Sequence, residues 1–186
     1  TVLAPAGRQK TVTVLPGTYT LYGAYDLPSA LLLRGRGELG SAVLTCSAAV
    51  NNGFLRIVES DTVVTNLAIR GGKGNGTNAD KTAAASGVHM TAGLLTGCEI
   101  SGCKPARDGY GTQALVLQGS NSATCPVARN CIISNNLGKT NGTDNYSRGA
   151  AVFFGQWGKM YDTEITANTG TQGGAVMVGS KGDGGA

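Results

Sequence analysis

Apolar and polar positions along this chain recur in one short phrase. TNLAIRGG (65–72), TGCEISGC (96–103), RNCIISNN (129–136) and YDTEITAN (161–168) share it, with an isoleucine at the same place in each: Ile69, Ile100, Ile133 and Ile165. The intervals between those isoleucines are 31, 33 and 32 residues. A period of about 20 to 50 residues marks a repeat architecture, in which each unit buries its apolar face only by stacking on its neighbours. A second apolar run keeps the same order ahead of each phrase: Phe54 to Val58, Val88 to Met90, Leu115 to Leu117 and Val152 to Phe154, with Val176 to Val178 following the last. These runs are short, rich in Val, Ile, Leu and Thr, and bounded by Gly, Asn and Ser. They lack the i, i+3, i+4 spacing that lets a helix bury one face. Each repeat therefore reads as two short strands and a variable polar loop, and helices are expected to be scarce.

Thirty glycines, three Phe and one Trp argue against a thick core, although 41% apolar and 14% charged residues are ordinary for a soluble chain. A right-handed parallel β-helix buries small aliphatic side chains economically. Each repeat is one coil, and equivalent positions stack at roughly 4.8 Å in ladders down the axis. About five coils are expected in a single domain over 1–186, with opening coils over 1–53 and the repeats of about 32 residues over 54–186. In this register Leu67, Cys98, Cys131 and Thr163 form one inward ladder, and Ile69, Ile100, Ile133 and Ile165 the next. The stretches GGKGNGTNADKTAAAS, KPARDGYGTQ, LGKTNGTDNYSR and TGTQ carry most of the charge and turn residues, as surface excursions from a solenoid do.

TVTVLPGTYTLYGAYDLPSALLLRGRG (11–37) resembles the first coils of secreted pectin-lyase-like β-helix proteins, and SDTVVTNLAIRGG (60–72) resembles a strand-turn-strand of the same superfamily. The pairing of IxxN with GGAV (Ile165 to Asn168, then Gly173 to Val176), repeated loosely from Ile133 to Asn136 and Gly149 to Val152, is similar to the repeats of the polymorphic outer membrane protein family. This chain uses Ile where that family uses Phe, and its earlier coils lack both the asparagine and GGA. The resemblance implies a secreted or surface-displayed β-helix with structural or adhesive work, and no catalytic residues.

GGAVMV opens a further coil that runs into GSKGDGGA, so the solenoid is expected to be incomplete at its C-terminal end and covered there by further polypeptide or another subunit. No charged-then-apolar signal segment and no run of about 18 apolar residues is present.

Five cysteines, Cys46, Cys98, Cys103, Cys125 and Cys131, have spacings unlike those of zinc sites. Cys98 and Cys131 share an inward ladder position and are either stacked thiols or a disulfide, since both fit the α-carbon separation. Asn75, Asn141 and Asn145 head glycosylation sequons in the long loops. Glycans there would fit an extracellular protein.

Catalytic chemistry finds little to stand on. Glu99 and Glu164 share an outward position two coils apart, roughly 10 Å, with Ala68 and Ile132 in the same column and no cleft. His89 faces outward if Val88 and Met90 face in, and reads as a solvated surface residue. GGKGNG (71–76) lacks the aspartate of a calcium repeat, and LGKT (137–140) lacks the first glycine of a phosphate loop. No cofactor motif is present. A net charge of +4 arises from 15 scattered basic residues without an aromatic platform, which does not indicate nucleic acid. The chain therefore reads as a non-enzymatic extracellular structural or adhesive segment of a larger surface, filament or coat protein. The alternative is a carbohydrate-binding or polysaccharide-degrading β-helix whose catalytic coils lie elsewhere.

Overall fold

A computed structural model describes residues 9–75, 85–106, 112–138, 151–170 and 175–179. Among these residues the regular structure is entirely strand, and no helix occurs. Three sheets of six parallel strands account for most of it. Sheet A joins Lys10–Val14, Leu31–Gly35, Val63–Thr65, Leu94–Thr96, Val127–Arg129 and Lys159–Tyr161. Sheet B joins Gly17–Leu21, Ala42–Cys46, Ala68–Arg70, Glu99–Ser101, Ile132–Ser134 and Glu164–Thr166. Sheet C joins Tyr25–Leu27, Leu55–Ile57, Ala85–Met90, Gln113–Leu117, Val152–Phe154 and Val176–Val178. A minor sheet D pairs Ala49–Val50, Lys73–Gly74 and Lys104–Pro105. Within every sheet, neighbouring strands come from successive repeats. This all-strand arrangement is compatible with a parallel β-helix.

Each repeat thus contains three principal strands, where the sequence suggested two. The repeated phrase hides the boundary because sheets A and B are separated by only two residues, the first in the left-handed region. Asn66, Gly97, Asn130 and Asp162 hold this corner with φ of 52°, 58°, 51° and 46°. Gly, Asn and Asp tolerate that conformation better than other residues, through the missing Cβ or local hydrogen bonding. A second left-handed corner leaves sheet B at Gly71, Gly102, Asn135 and Ala167, with φ of 68°, 63°, 56° and 52°. Ala167 has neither advantage and carries about 1–2 kcal/mol of strain. The phrase therefore spells out a fixed order of positions, in which a corner is followed by an inward residue, an outward residue, the core isoleucine, a second outward residue, the second corner and a last inward residue.

The register places Leu44, Ile69, Ile100, Ile133 and Ile165 in one column of sheet B. Ile69, Ile100 and Ile133 have no solvent exposure. Ile165 differs from the expected full burial: it is half-buried, because Glu164–Thr166 is the edge strand of sheet B. The column meets Leu33, Val64, Leu95 and Ala128 from sheet A and Leu55, Ile57, Val88, Met90, Leu115, Leu117 and Val152 from sheet C in a single core. Sheet D takes up part of the glycine-rich run, since Lys73 and Gly74 pair with Ala49 and Val50 on one side and with Lys104 and Pro105 on the other.

Ile133 lies between two ladder neighbours, so Ile133→Ala leaves a cavity that both flanking repeats must share. It is expected to lower the unfolding free energy by about 2–5 kcal/mol in urea titration. An unchanged midpoint would remove Ile133 from the core.

Candidate functional site

On the outer face of sheet B, the outward position before the isoleucine runs Ala68, Glu99, Ile132, Glu164. The register between the two glutamates is the expected one, with Ile132 intervening. Glu99 is engaged elsewhere: Arg70 Nε and Nη2 donate to its Oε1 and Oε2 at 2.9 and 2.6 Å, and Ser101 Oγ donates to Oε1 at 2.6 Å. The Arg70 hydrogen bond holds the Glu99 carboxyl below the usual carboxylate range, against the opposing effect of burial. Glu99 is therefore an ionised structural group, while Glu164 is exposed. With 42% of the Arg70 side chain exposed, this pair contributes about 1 kcal/mol or less.

The outer face of sheet C carries a different column: Asp26, Arg56, His89, Val116, Phe153 and Met177. Arg56 Nη2 donates to Asp26 Oδ2 at 2.9 Å, and its Nε approaches Oδ1 at 2.5 Å outside hydrogen-bonding alignment. His89 occupies the outward position, yet it is half-buried and its Nε2 is enclosed without a hydrogen-bond partner. The expectation of a solvated histidine is corrected accordingly. Burial, reinforced by the Arg56 charge and opposed by Asp26, lowers its pKa and keeps the ring neutral. Beyond it, Val116 and Phe153 pack with Ala85 in a small cluster separate from the main core, with Met177 against it. A bulge in Ala85–Met90 faces the start of Gln113–Leu117, where Ser86 Oγ donates to the Gln113 carbonyl at 2.9 Å. Thr112 and Gln113 are fully buried there, and Thr112 Oγ1 and both Gln113 amide atoms lack partners.

Polar groups also line the interior. Cys98 and Cys131 occupy adjacent repeats and are free thiols, as are Cys46, Cys103 and Cys125. Cys131 Sγ donates to the Arg129 carbonyl at 3.2 Å and Cys98 Sγ to the Thr96 carbonyl at 3.4 Å. Burial pushes Cys98 and Cys103 up to about 12 and raises Cys131 as well. The last letter of the phrase builds an asparagine ladder that sequence reading missed. Cys103 N donates to Asn136 Oδ1 at 2.9 Å, Asn136 Nδ2 donates to Ile100 O at 3.1 Å and to Asn168 Oδ1 at 2.9 Å, and Asn168 Nδ2 donates to Ile133 O at 2.9 Å. The IxxN spacing was its signal, because it sets an amide three residues past Ile133 and Ile165, beside the corner's backbone groups.

Asn75 is half-buried at the end of the Lys73–Gly74 strand, its N–H donating to Val50 O at 2.8 Å. Asn141 and Asn145 lie outside the described residues, as do Lys139 and Thr140 of the LGKT run. Among the described residues no three His, Cys, Asp or Glu side chains converge as a metal set, and no helix is long and apolar enough to cross a membrane. No family model, curated protein or solved structure matches the chain.

Two measurements probe this interior. Asn136→Ala strips Cys103 N–H of its acceptor in a buried corner and is expected to cost about 1–3 kcal/mol, read from the urea midpoint. Alkylation of the native protein at neutral pH should label Cys125, which is partly exposed, well ahead of Cys46, Cys98, Cys103 and Cys131. Equal labelling of all five cysteines before unfolding would contradict the buried columns.

Proposed function

We propose that the chain is a right-handed parallel β-helix of about five coils with the pectin-lyase-like topology, serving as a non-enzymatic extracellular structural or adhesive segment of a larger surface, filament or coat protein. The observation that carries this reading is continuity: three six-stranded parallel sheets share one core, and side chains of the outer faces, the interior and the corners join one repeat to the next. Glu99 is bound to Arg70, Asp26 to Arg56, and the buried Cys98, Cys131 and Asn136 side chains to backbone carbonyls of the preceding repeat. Contacts of this kind suit a scaffold. The loops between repeats are the places for glycans, at Asn75, Asn141 and Asn145, and for adhesive contacts.

A partner against the last strands belongs to the same proposal. Lys159–Tyr161, Glu164–Thr166 and Val176–Val178 are edge strands of their sheets, and Val178 is 78% exposed while Met160, Ile165 and Met177 are half-exposed. An uncovered parallel edge is a template for another strand. Further polypeptide or another subunit would continue the columns there.

The test uses the intact natural protein. Sedimentation, together with hydrogen exchange at 159–178, should show that edge protected within an assembly or by adjoining chain. A soluble monomer with unprotected edge strands would defeat the assembly reading, and depolymerisation of pectin or alginate by the intact protein would replace it with the enzymatic one.

A further inference from the structure

The outer face of sheet C brings together a histidine with an enclosed Nε2, an arginine already committed to the Asp26 carboxylate, and an apolar cluster. His89 is the one histidine of the chain. It pairs in register with Arg56 on one side and Val116 on the other. Arg56 is held by both oxygens of Asp26, the adjacent member of the column. No other Asp or Glu occurs in any strand of sheet C. Further along the column Phe153 and Met177 offer no charge, and the backbone of Gly53 closes against the His89 amide. Among the described residues, the charged groups that act on the ring are therefore Arg56 and Asp26.

We propose that His89 is an acid-sensitive latch: while neutral it keeps the outer layer of sheet C closed, and on protonation it opens that layer without dissolving the main core. An imidazolium at this place would lie beside a guanidinium, with apolar neighbours on its other flank and no acceptor for Nε2. Desolvation of an unpaired charge is costly, so protonation favours a ring position in which the enclosed Nε2 reaches water. What opens is the outward side-chain layer of Ala85, Val116 and Phe153, a cluster of its own, while Val88, Met90, Leu115 and Leu117 on the inward face of the same strands hold them to the main core.

A histidine whose folded pKa lies below its unfolded value binds fewer protons when folded, so acid works against the closed state. The neutral-ring stabilisation is complete above the unfolded value, about 6.5, and is lost as pH falls through it toward the folded value. A device of this kind would respond to mildly acid surroundings.

The single histidine allows a clean test on the whole chain. The imidazole proton resonance is expected to titrate below the ordinary histidine value. Protection factors of the Arg56, His89 and Val116 strands, which allow for the slowing of intrinsic amide exchange in acid, should fall several-fold from about pH 7.5 to pH 5 in the wild type. In His89→Gln, which keeps a neutral polar side chain, that fall should vanish, while Ile100 and Ile133 amides keep their protection factors in both proteins. A histidine titrating at or above its ordinary value, or an equal fall in wild type and His89→Gln, would overturn the latch. If His89→Gln itself fails to fold, the wild-type titration and the contrast between outer and inner strands decide the matter alone.

Discussion

In-register stacking of parallel strands governs everything else in this structure. When the same position of successive repeats sits roughly 4.8 Å apart, each residue's nearest neighbours are its own counterparts. A column therefore accepts only side chains that are content beside copies of themselves. Isoleucine satisfies this in the core of sheet B, where branched aliphatic groups pack along the axis. Cysteine satisfies it at the preceding inward position, as a small apolar group whose weak S–H finds a carbonyl within its own strand end. Asparagine satisfies it at the corner, since an amide offers both donor and acceptor and the Asn136–Asn168 pair passes the bond along. On sheet B charged residues do not stack on like charges, since Glu99 has Ala68 and Ile132 as column neighbours and meets its Arg70 diagonally, whereas Lys73 and Lys104 do pair in register in the minor sheet D.

The same constraint shapes the backbone. A strand three residues long is too short to curve, so the chain must turn at single residues, and the left-handed conformation does this twice per repeat. Asn66 Nδ2 adds a tie across the corner, donating to the Gly35 and Gly37 carbonyls at 3.1 and 2.8 Å. Where the corner falls on Ala167, the chain accepts strain rather than lose the periodicity. That Ala167 lies in the last described strand pair of sheet B, with the half-buried Ile165, indicates a repeat less tightly specified than those before it.

How much of this was legible in the sequence depended on whether a residue answered to the period or to a neighbour in space. The isoleucine column, the alignment of Glu99 with Glu164 and the second apolar run of each repeat answered to the period, and a fixed interval placed them. The sheet A strands went unseparated because a two-residue corner interrupts no apolar run. Arg70 and Glu99 escaped because their contact crosses from one outward column to the next, which no single column displays. His89 was placed on the correct face, but its enclosure depends on what packs around Arg56, Val116 and Phe153, and alternation along one strand says nothing of that. Residues 10–50 contribute two strands to sheet A and two to sheet B without carrying the phrase, so no periodic signal marks their register.

The contrast between sheets B and C is the last consequence. Both present outward columns on the same scaffold, yet sheet B pairs its one part-buried acid with an arginine and a hydroxyl, while sheet C sets a neutral histidine between an occupied ion pair and apolar side chains. Arg70 and Glu99 keep opposite charges across the ordinary pH range and change little with mild acid. His89 has no such partner, and its neutral state is what its surroundings require. In the interior, burial pushes the Cys98 and Cys103 thiols up to about 12, far from neutrality. Sensitivity to mild acid is thus concentrated in one outer layer, and the repetitive core beneath it is built from side chains that protonation near neutrality does not reach.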